Sequence, residues 1–335
     1  MNRKFFMAQR YMNSCVKNKS VPFLFIFLHT NLLKIDMEDK KSLVKVWVEA
    51  ARPKTLPASV SPVLLGCALA YCDGMFDWMP ALLCLLVALF AQIASNFAND
   101  YFDFKKGADR EDRLGPERAV AQGWITPRAM LLGTFVVLGV ACLSGLLLIC
   151  YADWRLIGVG LAIAICVLAY SAGPFPLAYN GLGDLCVLLF YGIIPVCFTY
   201  YIQTLSFSLL SFLLSIALGL LSVNILVVNN YRDYEQDKAS HKRTTIVLFG
   251  RRFGKVFYIL NETLAFLLVL PLVLDAPWWI QFLFGILFAL CFYTTRELLT
   301  YEGRALNRTL GHTARNVFLF AAVLSLLFFY IGSGL

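Results

Sequence analysis

Histidine is almost missing from this chain. Three occur in 335 residues, His29, His241 and His312, far apart in sequence, and that spacing suggests no zinc cluster. Cysteine occurs ten times but never as a CxxC pair, and nearly all ten lie inside apolar runs. They read as small packing residues and supply no disulfide framework. Charge is scarce as well. Only 15% of residues are charged and 59% are hydrophobic, where ordinary soluble domains carry about a quarter charged residues. A soluble globular domain is therefore excluded, and a polytopic membrane protein is the class that remains.

What the chain has instead is long apolar runs. A bilayer core needs about 20 apolar residues per helix, and nine stretches meet that measure. They are residues 56–76, 79–99, 129–150, 154–172, 184–203, 207–230, 256–274, 277–295 and 314–332. The fold class expected is all-α, with nine transmembrane helices. Several runs are interrupted, at Pro62, Gly66, Pro195 and Gly219, which membrane helices tolerate when neighbours repair the backbone.

Basic residues separate the connections into two sets. Arg52 and Lys54 precede the first run. Lys105, Lys106, Arg110, Arg113, Arg118 and Arg128 follow the second, a further basic group from Arg232 to Lys255 follows the sixth, and Arg296, Arg304, Arg308 and Arg315 follow the eighth. The other connections hold almost none, Arg155 being the exception. Positive charge marks the cytoplasmic side, so the N-terminus and every even loop are expected in the cytoplasm, with the protein in the cytoplasmic (inner) membrane. Residues 1–36 carry six basic residues against the single acid Asp36. Their apolar stretch is too short to span and lacks a small-residue cleavage site. We expect this basic leader to be dispensable and residues 37–335 to form one transmembrane domain.

Two acidic clusters break the apolar pattern at the cytoplasmic ends of even-numbered runs. The second run ends in NFANDYFDFKKGAD. If helix continues through it, Asn96, Asn99, Asp100 and Asp103 share one face at spacings of three and four. The sixth run ends in NNYRDYEQDKASHKRT, where Asn229, Asp233 and Asp237 recur every four residues. Carboxylates at membrane depth are costly and mostly functional. Oxygen ligands without histidine or cysteine suit Mg²⁺, which favours a few carboxylates, waters and phosphate oxygens. Two such clusters ringed by Lys and Arg make a site for a metal-bridged diphosphate, and the apolar interior beside it suits a polyprenyl tail.

Those two boxes, together with ARPKTLPASVSPVLLG and AYSAGPFPLAYNGLGD, in this order over about residues 45–335, resemble the UbiA superfamily of intramembrane aromatic prenyltransferases, and within it the branch that prenylates 1,4-dihydroxy-2-naphthoate. The resemblance implies nine helices around a central cavity open to the bilayer. It implies Mg²⁺ as cofactor, held by Asp100, Asp103, Asp233 and Asp237 with Asp109 as a further candidate. It also implies diphosphate contacts from Arg52, Lys54, Asn96, Asn99, Asn229, Lys242 and Arg243. Its partners would be polyprenyl diphosphate, dihydroxynaphthoate and the bilayer, with no nucleic acid. The reaction implied is alkylation of the ring with loss of diphosphate and CO₂, giving demethylmenaquinone. Tyr101, Phe102 and Tyr231 are candidates to shield an allylic cation. Tyr170, Tyr179 and Asp184 are candidates to take the ring hydroxyl proton, although for Asp184 a helix cap is the preferred reading.

Two positions depart from the family pattern: Gly107 stands where a third aspartate is expected, and His241 where glycine is expected. The alternatives are a sibling enzyme acting on 4-hydroxybenzoate or homogentisate and, more remotely, a secondary transporter. A transporter's acids would sit nearer the midplane.

Overall fold

In lipid a chain segment must satisfy its own backbone, and the α-helix is the way a single apolar segment does so. Each of the nine apolar runs forms helix. The computed structural model describes residues 42–108 and 113–334, so the leader 1–36 and Asp109 lie outside the described residues. Among the described residues all regular structure is helical. The chain divides after Val46 into two units. Of the first, residues 42–46 are described; the second, from Trp47 onward, holds the core and the cavity.

Among the described residues eleven α-helical stretches run in order. α1 is Leu43–Ala50, α2 Pro57–Cys72 and α3 Trp78–Lys105. α4 is Pro127–Cys150, α5 Leu156–Ala169 and α6 Gly183–Thr204. α7 is Leu209–Arg232, α8 Tyr234–Ala239 and α9 Thr245–Leu274. α10 is Trp278–Thr300 and α11 Leu306–Gly332.

Seven of these are long and apolar enough to cross a membrane alone, and α2 qualifies when joined to the helical stretch Leu43–Thr55 before it. The expected fourth span is the exception. α5 has 14 residues, about 21 Å at 1.5 Å per residue, short of a bilayer core of about 30 Å. The run expected over 154–172 loses its end because Pro174 disfavours helix at Gly173, which adopts φ +85°.

The core lies where α2, α7, α9 and α11 meet, around Leu65, Ala68, Leu218, Leu221, Val269, Phe320 and Leu324. α6 bends against it. Pro195 removes one backbone donor, and the residues just before it, Leu189–Ile193, widen into a π turn. There α6 crosses α7 so closely that a Cβ on Gly192 would meet the Cα of Gly219 at 2.5 Å and the carbonyl of Ser215 at 2.6 Å. Small residues at such crossings let backbones approach in membrane proteins. α5 packs on α3 and α4, while α6 packs on α2 and α7, and a cavity runs between α5 and α6.

Candidate active site

α3 continues as helix well past its apolar part, through Asp100 and Asp103 to Lys105. It then ends in a Schellman turn. The Gly107 amide donates to the Phe104 carbonyl at 3.0 Å, and the Ala108 amide to the Asp103 carbonyl at 2.9 Å. This turn requires a left-handed residue, and Gly107 has φ +69°. The sequence places glycine rather than a third aspartate here because the helix stops.

The second acidic box is not one helix. α7 ends at Arg232, Asp233 is the hinge, and α8 begins at Tyr234. Across this hinge the Asp233 amide still donates to the Asn229 carbonyl at 3.0 Å and the Asp237 amide to the Asp233 carbonyl at 2.8 Å, so Asn229, Asp233 and Asp237 stay on one side and all three line the cavity. α8 then ends as α3 does. The His241 amide donates to Lys238 at 3.3 Å and the Lys242 amide to the Asp237 carbonyl at 2.8 Å. His241 is exposed and occupies the left-handed position at φ +58°. The expectation of glycine at 241 has its cause in this turn. In both boxes the last aspartate within the helix, Asp103 or Asp237, sits four residues before the left-handed residue and accepts the same backbone bond.

The segment 113–126 ties the two ends together. Arg118 donates to Asp103 Oδ2 at 3.2 Å, and the amides of Ala119 and Val120 donate to the two oxygens of Asp100 at 3.0 and 3.3 Å. Gly115 lies so close to Arg232 that a Cβ would meet its guanidinium at 2.7 Å. Arg232 in turn grips Asp233 through both oxygens, at 2.7 and 2.6 Å, and donates to Asn229 and Asn307. Asn307 closes the circuit by donating to the Leu114 carbonyl at 2.9 Å.

A third strand of contacts comes from the loop before α6. The Tyr179 hydroxyl donates to Asp103 Oδ1 at 2.8 Å, and the Lys106 and Lys242 ammonium groups stand 4.3 and 4.7 Å from its ring centroid. Lys242 also pairs with Asp103 at 3.2 Å. Burial pushes the Asp237 carboxyl up to about 7, the Lys242 charge opposing and Asp233 and Asp103 adding to the rise.

All of this crowns one cavity. Its polar end is lined by Asn96, Asn99, Asp103, Asn229, Asp233, Asp237, Arg52, Arg113, Arg118 and Lys242. Its apolar length runs past Val87, Ile163, Phe190 and Phe198 to Leu148, Leu156 and Ile202 at the opposite ends of α4, α5 and α6. The arrangement can hold a polyanion at one end and a long apolar chain along the rest. Residues 59–312 match the UbiA prenyltransferase family.

The chain belongs to that family. It is 37% identical to the 1,4-dihydroxy-2-naphthoate octaprenyltransferase of Haemophilus influenzae over 74% of this chain and 84% of that protein. It is 39% identical to the enzyme of the same name from Escherichia coli over 64% of this chain and 71% of that protein. Its fold is similar to a UbiA homolog from Archaeoglobus fulgidus bound to DMAPP and Mg²⁺, with TM-score 0.58, 17% identity, and 84% of this chain and 97% of that one covered.

In this UbiA-family chain not every residue expected at the site reaches the cavity. Asp100 is buried beside it, with both oxygens taken by loop amides. Lys54 and Arg243 are exposed and lie off the cavity, because the chain turns at Arg52 (φ 55°) and the Arg243 amide is fixed to the Tyr179 carbonyl at 2.9 Å. Tyr101, Phe102 and Tyr231 also lie off the cavity lining, which Tyr170, Tyr179 and Tyr191 share. Tyr231 packs in a separate apolar cluster, with Arg251 and Lys255 over its ring. Asp184 is not a helix cap, since its α6 end has no side-chain cap bond.

Arg113, Arg118 and Arg232 are residues that sequence reasoning missed. Their signal was present only as loop charge, which topology alone explains. Among the described residues no three acidic, histidine or cysteine side chains converge closely enough to hold a metal by themselves. The donors present are oxygens only, Asp103, Asp233 and Asp237 with Asn99 and Asn229, a set that fits a hard divalent cation keeping waters and substrate phosphates among its ligands.

Proposed function

We propose that this chain transfers a polyprenyl group from polyprenyl diphosphate to 1,4-dihydroxy-2-naphthoate, releasing diphosphate and CO₂ and giving demethylmenaquinol, the reduced form of demethylmenaquinone. The observation that carries the reading is the single cavity with a carboxylate-and-cation end and an apolar length, in a chain so similar to two naphthoate octaprenyltransferases.

Asp103, Asp233 and Asp237 would hold Mg²⁺ together with waters and phosphate oxygens rather than as one closed set of three, with Asn99 and Asn229 beside them. Their donor set is oxygen only, and Asp237, pushed toward its neutral form by burial and two neighbouring carboxylates, gains most from a cation. When bound, Mg²⁺ supplies charge neutralisation on the diphosphate as it leaves. Lys242, Arg118, Arg113 and Arg52 line the same end and bind the phosphate oxygens. Lys242 is positioned twice, by Asp103 and by the face of Tyr179. Asp100 serves a different purpose. It holds Ala119 and Val120 and so presents Arg118. The apolar walls exclude water from the allylic centre, which protects it from hydrolysis. The acidic end lies at the cytoplasmic face of the inner membrane, a placement that the distribution of Lys and Arg supports.

The test is an assay of purified protein in liposomes with farnesyl diphosphate, Mg²⁺ and each aromatic acceptor in turn, with EDTA as control. Prenylation of dihydroxynaphthoate with CO₂ release, abolished by EDTA, is expected. Prenylation of 4-hydroxybenzoate or homogentisate instead would move the chain to a sibling reaction.

A further inference from the structure

The cavity is lined by four carboxylates among the described residues, Asp103, Asp233, Asp237 and Asp184. The first three sit at the diphosphate end, and the fourth has no part in it. Asp184 is 8% exposed, in the first turn of α6. Its Oδ2 accepts a hydrogen bond from Thr245 Oγ1 at 2.6 Å. Its Oδ1 is buried with no hydrogen-bond partner in the protein. A buried carboxylate oxygen left unsatisfied is costly, and an occupant of the cavity that donates a hydrogen bond removes that cost.

Its position suits the acceptor. Lys242 reaches Asp103 and Thr245 reaches Asp184, so two residues only three apart in sequence touch the diphosphate end and this carboxylate. Their backbones are therefore separated by at most about 11 Å. The two other groups suggested for the ring proton are less suited. The Tyr179 hydroxyl is already donated to Asp103. Tyr170 is a phenol, which has little basicity near neutral pH. It lies across the same turn, its hydroxyl 3.4 Å from where a Cβ on Gly183 would stand.

We infer that Asp184 is the proton acceptor and donor for the acceptor ring, hydrogen-bonded to the hydroxyl next to the carboxyl-bearing carbon. This rests on the proposed naphthoate reaction. As the C–O bond of the prenyl diphosphate breaks and the prenyl carbon bonds to the carboxyl-bearing ring carbon, the adjacent hydroxyl loses its proton to Asp184 and becomes a ketone. The carboxylate then leaves as CO₂. Its C–C electron pair returns to the ring, and the oxygen takes the proton back from Asp184. Asp184 ends as it began, and the one proton taken up overall goes from water to the departing diphosphate. Thr245 holds the carboxyl in place from the far side.

The experiment compares wild type, Asp184→Asn and Thr245→Val in liposomes with farnesyl diphosphate, Mg²⁺, dihydroxynaphthoate and ring-fluorinated acceptors whose hydroxyl is more acidic. Asp184→Asn is expected to lose about 10²-fold or more in kcat, with KM for the diphosphate unchanged. The ratio of wild-type to variant rate should shrink as the acceptor hydroxyl becomes more acidic, since a stronger acid has less need of the base. Thr245→Val should show a smaller loss with the same dependence on acceptor, and it carries the test if Asp184→Asn does not fold. A rate in Asp184→Asn within threefold of wild type would overturn the assignment. So would an equal loss with every acceptor, which marks a structural role. Failure of the wild type itself to prenylate dihydroxynaphthoate would instead overturn the naphthoate reaction.

Discussion

The two acidic helix ends finish with the same backbone turn and differ in everything before it. At the end of α3 the helix is unbroken, Asp100 is held by loop amides and Asp103 by Arg118, Lys242 and Tyr179. At the end of α7 the helix breaks at Asp233, which its neighbour Arg232 clamps, and Asp237 follows on a separate short helix. At the first end Asp103 is paired with two cations of the protein, Arg118 and Lys242, as Asp233 is with Arg232 at the second. The second carries a carboxyl, Asp237, whose ionisation the fold opposes. A diphosphate site needs both, one end to fix geometry and one to welcome a cation.

The largest effect should come from the carboxylates that line the cavity. Asp103→Asn and Asp233→Asn should each lower kcat by 10³-fold or more, since electrostatic stabilisation of the developing charge usually contributes most to catalysis of this kind; a Mg²⁺-dependent transfer assay measures this. Asp100→Asn should cost far less, about 10-fold, because it loosens a loop rather than emptying the site. Equal losses at Asp100 and Asp103 would erase the distinction between support and site.

Asp237→Asn should abolish turnover yet stabilise the metal-free protein. The sign follows from linkage. The folded carboxyl titrates near 7 and the unfolded one near 4, so the folded state holds the extra proton between those values, and its stability falls as pH rises through that window. The variant's advantage should be absent at pH 4, grow up to about pH 7 and stay level above it, on the order of a few kcal/mol. Thermal unfolding at pH 5 and pH 8 without Mg²⁺ would measure it, and a destabilised variant at pH 8 would count against a desolvated carboxylate.

The smallest effects should come from the shared turn itself. His241→Gly should raise stability by roughly 1 kcal/mol with unchanged kcat, because a left-handed backbone disfavours any side chain. Gly107→Ala should lower it by a similar amount. Denaturation midpoints of the two variants would show whether the turns are equivalent.

Much of this was legible in the sequence because it depended on local rules. Apolar run length placed the helices, and helical periodicity placed Asn96, Asn99 and Asp103 on one side of α3. Gly107 departed from expectation because its turn requires a left-handed residue, and the glycine expected at 241 has the same cause in a second turn of the same kind, which His241 occupies at φ +58°. What stayed hidden depended on pairings across long stretches of chain. Arg118 meets Asp103 only through the register of a loop. Thr245 meets Asp184 across 61 residues, so a helix cap was the natural expectation for Asp184. Lys54 and Arg243 were grouped with the site through the family resemblance, yet a left-handed turn and a backbone bond direct them elsewhere. The irregular backbone of Asp233 (φ −91°, ψ 10°) is likewise invisible to a spacing of four, because the four-residue bonds run through it.

The most direct test of a site built from both helix ends is binding of farnesyl diphosphate, with and without Mg²⁺, to wild type, Asp103→Asn and Asp233→Asn in the absence of acceptor. If the two ends form one site, Mg²⁺ should strengthen binding in wild type, and either single substitution should remove that gain. Full Mg²⁺-dependent affinity in either variant would mean that one acidic end suffices, and the two-ended site would be contradicted.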